Sequence, residues 1–72
     1  GRNEEAIEAF DKALEVEPDH AGAWYGRGLA LSGSGRNKEA LSAFNKALEL
    51  NPINEYALSQ RNELVKQLED ND

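Results

Sequence analysis

The sequence has no cysteine, no methionine, one histidine, one tryptophan and two prolines in 72 residues. Without thiols there is no disulfide to staple the chain and no thiolate to hold a metal. Without methionine there is no initiator, and the chain reads as a fragment or a processed product. No apolar run approaches the ~18 residues of a membrane span, and no signal-peptide pattern opens the chain. Basic residues are few: eight against fourteen acidic, for a net charge of −6. That balance argues against nucleic acid and anionic membranes as partners, since both are negative. Cytoplasmic residence is expected. Size is scarce too, because a chain this short buries only about 60% of the surface its unfolded form exposes. Its apolar share of 39% and charged share of 31% still suit a folded chain better than a disordered one.

What the sequence does contain is a repeat. The stretch GRNEEAIEAFDKALEVEP from Gly1 and the stretch GRNKEALSAFNKALELNP from Gly35 agree at twelve of eighteen positions, at an offset of 34. Chance does not produce such agreement, and internal periodicity of this length signals stacked supersecondary units. Beyond the prolines the likeness thins to Ala23/Ala57 and Arg27/Arg61.

Each segment reads as a helix. Ala6, Ile7, Ala9, Phe10, Ala13, Leu14 and Val16 keep the three-and-four spacing of one apolar face. Asn3 is a candidate N-cap, Glu4 and Glu5 suit the first turn, and Pro18 stops the helix. The copy runs from about Lys38 to Leu50, with Asn37 as cap and Pro52 as stop. Between them Ala21 to about Ser32 forms a helix opened by Asp19 or His20 and ended by Gly33-Ser34-Gly35. A last helix runs from Glu55 to about Glu69 behind Asn54. No segment alternates with period two, so the expected class is all-α, with four helices joined by short turns.

At this point the chain resembles a tetratricopeptide repeat protein. The family pattern of W-x2-L-G-x2-Y, then A-x3-F, then P, over 34 residues is met by Trp24, Gly28, Ala40, Phe44 and Pro52. Arg27 stands where Leu is usual and Leu31 where Tyr is usual. Arg27 is expected to lay its stem along the core while its head reaches water. The resemblance implies antiparallel helix hairpins stacked as a short α-solenoid. Residues 1–18 would be the second helix of one repeat, 19–54 a complete repeat, and 55–72 a capping helix with a short tail. Ala40 and Ala47, with Ala6 and Ala13 in the first unit, are small enough for helices to approach. Phe44 and Phe10 fill the space between them, and Gly28 permits close approach. Trp24 takes a packing position.

Other motifs fall to blander readings. Gly28 and Gly33 have the spacing of two P-loop glycines, but Ser34 stands where Lys must reach the phosphates and no strand precedes. Gly22 and Gly26 are costly, at roughly 1 kcal/mol each against Ala in a helix interior. His20 lacks partners for a zinc site or a catalytic triad and reads as a solvated turn residue. The acidic run Glu4, Glu5, Glu8, Asp11, Glu15 and Glu17 lacks the ligand alternation of a calcium loop and reads as a solvated face, with Glu8–Lys12 as a favourable pair. No cofactor or metal site and no catalytic constellation emerges.

Function therefore rests on surfaces. The resemblance implies a peptide-binding groove lined by Gly22, Tyr25, Gly26, Leu29 and Gly33, extended by Tyr56, Gln60, Glu63 and Gln67. A carboxylate clamp for chaperone tails is disfavoured, because Tyr25, Gly26 and Leu29 occupy places that need Lys and Asn. The expected role is a protein–protein interaction module without catalysis, with a protein or peptide as partner. The alternative is a self-associating solenoid unit that dimerises through Ala6, Ile7, Ala9, Phe10, Ala13 and Leu14. Nucleic-acid binding by a related repeat family of 35-residue period fits neither the period nor the charge.

Overall fold

Four amphipathic segments separated by turn-forming residues become four α-helices in the computed structural model, which describes residues 1–70. They are α1 (Arg2–Val16), α2 (Ala21–Gly33), α3 (Asn37–Leu50) and α4 (Glu55–Asp70). The tail expected at 71–72 lies outside the described residues. Each helix packs on its neighbours in the chain, so α2 lies between α1 and α3, and α3 between α2 and α4. This zigzag is the stacked-hairpin architecture expected, and no strand occurs among the described residues.

The turns repeat at the same offset as the sequence. After α1 the Glu17 N–H bonds the Ala13 carbonyl, and His20 closes a turn onto Glu17. After α3, Asn51 bonds Ala47 and Asn54 closes onto Asn51 in the same way. Pro18 and Pro52 sit at the second position of these turns, where a fixed φ is an advantage. Each turn then delivers an N-cap. His20 Nδ1 accepts from the Ala23 N–H at 2.9 Å, and Asn54 Oδ1 accepts from Ala57 at 3.0 Å. His20 is thus a helix cap rather than only a solvated turn residue, and it, not Asp19, opens α2.

The α2–α3 turn is built differently. Gly35 adopts φ +83°, the left-handed region that favours glycine. Arg36 N–H reaches back to the Leu31 carbonyl and Gly35 N–H to Ser32, the paired bonds of a Schellman motif. The chain leaves it straight into α3, which begins at Asn37 with Arg36 in the cap position. Asn37 is therefore the first helical residue and does not cap. Asn3 likewise lies inside α1, behind Gly1. Its side chain is held against α2 instead: a Cβ on Gly33 would come within 2.8 Å of Asn3 Nδ2.

The core runs through the stack. Ile7, Ala30, Leu31, Ala40, Ala43, Phe44 and Leu64 form one buried cluster, with Trp24 and Tyr25 packed against it. Phe44 and Leu31 are its largest fully buried side chains, and burying each is worth about 1.5–3 kcal/mol. Gly28 explains how Phe44 fits, because a Cβ there would approach the ring to 2.7 Å. Gly26 does the same for Phe10, whose ring occupies the space of a Cβ on that glycine. The helix interior of α2 thus gives up propensity at two places so that an aromatic ring can lie on bare backbone from either side.

Charges link the helices less symmetrically. Arg27 Nε donates to Asp11 Oδ1 at 2.6 Å, tying α2 to α1, so its head goes to a carboxylate rather than to water. One repeat later Asp11 is replaced by Asn45, and Arg61 turns to its neighbour, Nη2 to Asn62 Oδ1 at 2.9 Å. Arg61 Nε is left buried without an acceptor. Glu8–Lys12 is not among the ion pairs of the described residues, which include Arg27–Asp11, Arg36–Glu39 and Lys46–Glu49. Restoring the carboxylate with Asn45→Asp gives Arg61 the partner that Arg27 has. It should stabilise the chain by about 0.5–1 kcal/mol, read as a rise in the denaturation midpoint with unchanged slope.

Candidate functional site

Two helical surfaces are candidates for binding. The first is a stripe on α2 and α4, the two repeat-equivalent helices that pack on α3. On α2, Gly22, Leu29 and Gly33 are exposed, and Tyr25 and Gly26 are half-buried. They share a stripe because α2 turns its other sides inward: Gly28 meets Phe44 of α3, and Arg27 meets Asp11 of α1. On α4, Tyr56, Gln60, Glu63 and Gln67 are all exposed. Their register follows from Ala57 and Leu64, which are buried on the neighbouring side of the helix, each one turn from Gln60. Leu29 is 41% exposed and Tyr56 76%, while Leu58, Val16 and Ile53 are exposed off the stripe.

Not every stripe residue faces a ligand equally. Gly26 lies under the Phe10 ring, so its missing side chain serves helix packing. Tyr25 leans on Phe44, with ring centroids 5.8 Å apart and planes tilted by 51°. Leu29 and Tyr56 have no such structural commitment. Trp24 is packed against the core, and its indole N–H donates to the Pro18 carbonyl at 2.8 Å, fixing the α1–α2 turn. Pro52 is exposed in the α3–α4 turn. Among the described residues the stripe is an open surface, with no enclosed pocket.

The stripe is also electrostatically quiet. Its α2 half carries no charged side chain, because Arg27 is turned toward Asp11. Glu63 is the one charge among the α4 residues named. The best-formed surface ion pair lies elsewhere, at the start of α3, where Arg36 binds Glu39 through two hydrogen bonds of 3.0 and 2.7 Å. Those bonds hold the Glu39 carboxyl below its ordinary pKa and raise Arg36. The pair's contribution is therefore present above the unfolded glutamate value and is lost as pH falls through the lowered folded value. At this exposure it is small.

The second surface is the outer flank of α1. Internal repetition makes it legible, since α3 is a copy of α1. Ala43 and Ala47 are fully buried, whereas their counterparts Ala9 and Ala13 are exposed. Ala40 and Phe44 are fully buried, whereas Ala6 and Phe10 are half-buried. Of the apolar set on this helix, Ile7 joins the core and Leu14 is half-covered. Within the described residues the flank that α2 covers on α3 has no cover on α1.

No group of three His, Asp or Glu residues is positioned to hold a metal among the described residues, and no helix there is long and apolar enough to cross a membrane. Stacked antiparallel hairpins of 34-residue period, held by small residues around a phenylalanine, with open helical faces, define a helical-repeat scaffold. The profile of the tetratricopeptide repeat family matches residues 1–55, and the chain belongs to that family. Repeats of this family are typically non-catalytic scaffolds that bind other proteins. No curated protein matches the chain by sequence.

Proposed function

We propose that the chain is a protein-interaction module, without catalysis, that binds a peptide or a partner helix along the α2–α4 stripe. The observation that carries this reading is the exposure of Leu29 and Tyr56 beside an uncharged α2 face. Large apolar side chains on rigid helices act as binding anchors because little entropy is lost in ordering them. The absence of charge on the α2 half favours a partner with apolar anchors at helical or alternating spacing over an acidic or basic tail. A peptide selected from a random library on the immobilised chain supplies the probe. Leu29→Ala with Tyr56→Ala should weaken its binding by more than about 1 kcal/mol, roughly fivefold or more, in calorimetric titration. Equal affinity in a folded double variant would refute the stripe as the site.

A second reading is favoured by one observation, the exposure of Ala9 and Ala13 where Ala43 and Ala47 are buried. Two copies could cover each other's α1 flank around a two-fold axis. Charge opposes this pairing, since residues 1–18 hold six acids and two bases. Salt should therefore promote it by screening. Sedimentation without ligand should then show a mass that rises with concentration and salt and stops at the dimer. A monomer at high salt and high concentration rules the pairing out.

A further inference from the structure

The repeat carries one helix face twice, with different charge. On α1, Glu4, Glu8, Asp11 and Glu15 follow at the three-and-four spacing that puts side chains on one face. At the 34-residue offset the same face of α3 carries Lys38, Ser42, Asn45 and Glu49, all exposed. Four acids have become one acid and one base. Over the whole units, residues 1–18 hold six acids and two bases, for −4, and residues 35–52 hold two acids and three bases, for +1. Both acids of the second unit are engaged locally, Glu39 by Arg36 at 2.7 Å and Glu49 by Lys46 at 3.7 Å. In a chain of net charge −6 this face stands out.

The acidic face of α1 has a use that its copy cannot serve. Asp11 accepts the Nε–H of Arg27 at 2.6 Å, across the α1–α2 crevice. The copy of that crevice lies between α3 and α4, where Arg61 repeats Arg27 and Asn45 replaces Asp11. There Arg61 Nε is buried with no acceptor. Its own helix offers none, because the residues three and four away are Ala57, Leu58, Leu64 and Val65, all apolar. The Nη2 end is held by the neutral amide oxygen of Asn62 at 2.9 Å. A guanidinium makes its stronger hydrogen bonds to carboxylates, and a buried donor without an acceptor is costly. This deficit is set by position 45 on α3, so it does not depend on what lies beyond α4. We propose that the Lys38–Ser42–Asn45 face of α3, with Arg61 at its edge, docks an acidic segment of a partner protein, and that one partner carboxylate takes on Arg61 the place that Asp11 takes on Arg27. Arg61 is half-buried and Asn45 exposed, so the carboxylate arrives over position 45, on the side from which Asp11 meets Arg27, without opening the core. Lys38 and Ser42 offer an ammonium and a hydroxyl along the same face, and exposed Leu58 offers an apolar contact one turn from Arg61. The site is separate from the peptide stripe. Arg61 leaves α4 on one flank of the buried Ala57 and Leu64, and Tyr56, Gln60 and Glu63 leave it on the other.

The probe is a glutamate oligopeptide, added at low salt to the whole chain labelled with nitrogen-15. The Nε–H resonances of Arg61 and Arg27 are followed by NMR. Arg61 should shift to saturation, and Arg27, already bonded to Asp11, should not. Added salt should weaken the binding by screening. Asn45→Asp gives Arg61 a carboxylate from within the chain, so it should keep the fold and lower the peptide's affinity by roughly tenfold or more. Ser59→Glu makes the same change of charge on α4 away from this face and should bind as the parent does. No saturable shift at Arg61 would overturn the proposal. Equal shifts at Arg27, or an equal loss of affinity in Ser59→Glu, would mark general charge attraction and overturn it as well. Sodium acetate in the same titration separates a free carboxylate from a docked segment. Saturation of Arg61 by acetate at concentrations no higher than the peptide needs would mean a small-anion site and reject the docking face.

Discussion

An aromatic ring lying on bare helix backbone sets the spacing of this small array. Phe44 rests on Gly28 and Phe10 on Gly26, so α2 is gripped from both sides at points only two residues apart. The small residues around each ring follow from that contact. Ala40, Ala43 and Ala47 are fully buried because α2 comes close enough to cover them, and it comes close because Gly28 has no side chain. A chain of 72 residues has little stability to spare, with folded domains holding roughly 0.05–0.15 kcal/mol per residue. It therefore concentrates its large side chains at few sites and fills the rest with alanine.

The same contact decides which surfaces remain for partners. By turning Gly28 and Arg27 inward, α2 presents Gly22, Tyr25 and Leu29 outward, and none of these is charged. On α4 the inward residues are Ala57 and Leu64, which leaves Tyr56 and Gln60 exposed. Where the ring-on-glycine contact is incomplete, the molecule exposes its other open face. Phe10 meets Gly26 but has no second helix over it among the described residues, and Ala9 and Ala13 are exposed beside it. One repeat after Gly28 the chain carries Asn62, so α4 does not repeat the bare-backbone surface of α2 at that position.

Much of this was legible before any coordinates, for a physical reason. Helix positions and the 34-residue period are written in local spacing, which a repeat states twice, and the packing role of Gly28 followed from the resemblance to the repeat family. Asn54 as a cap was readable because an amide after a proline turn has one obvious N–H to accept. The misses were long-range. Gly26 read as a cost, since nothing local shows that Phe10 will need its space. Arg27 read as solvated, because Asp11 lies sixteen residues away and on another helix. Asn3 and Asn37 read as caps on residue type alone. The Schellman turn at Gly35 runs directly into α3, and Asn3 is held against Gly33, so neither is left to cap. The stripe residues Leu29 and Tyr56 were named by analogy with the repeat family, while Tyr25 and Gly26 proved to share their surface with the core.

The central claim is that Gly28 is required by Phe44 and not merely tolerated. Helix propensity and packing make opposite predictions for Gly28→Ala. Propensity alone would stabilise α2 by about 1 kcal/mol. Packing sets a methyl group against a ring that has no room to retreat, which costs about 1–3 kcal/mol. The measurement is equilibrium denaturation of Gly28→Ala beside the parent chain. The account predicts a lower midpoint for the variant, and a midpoint equal to or above the parent's would contradict it.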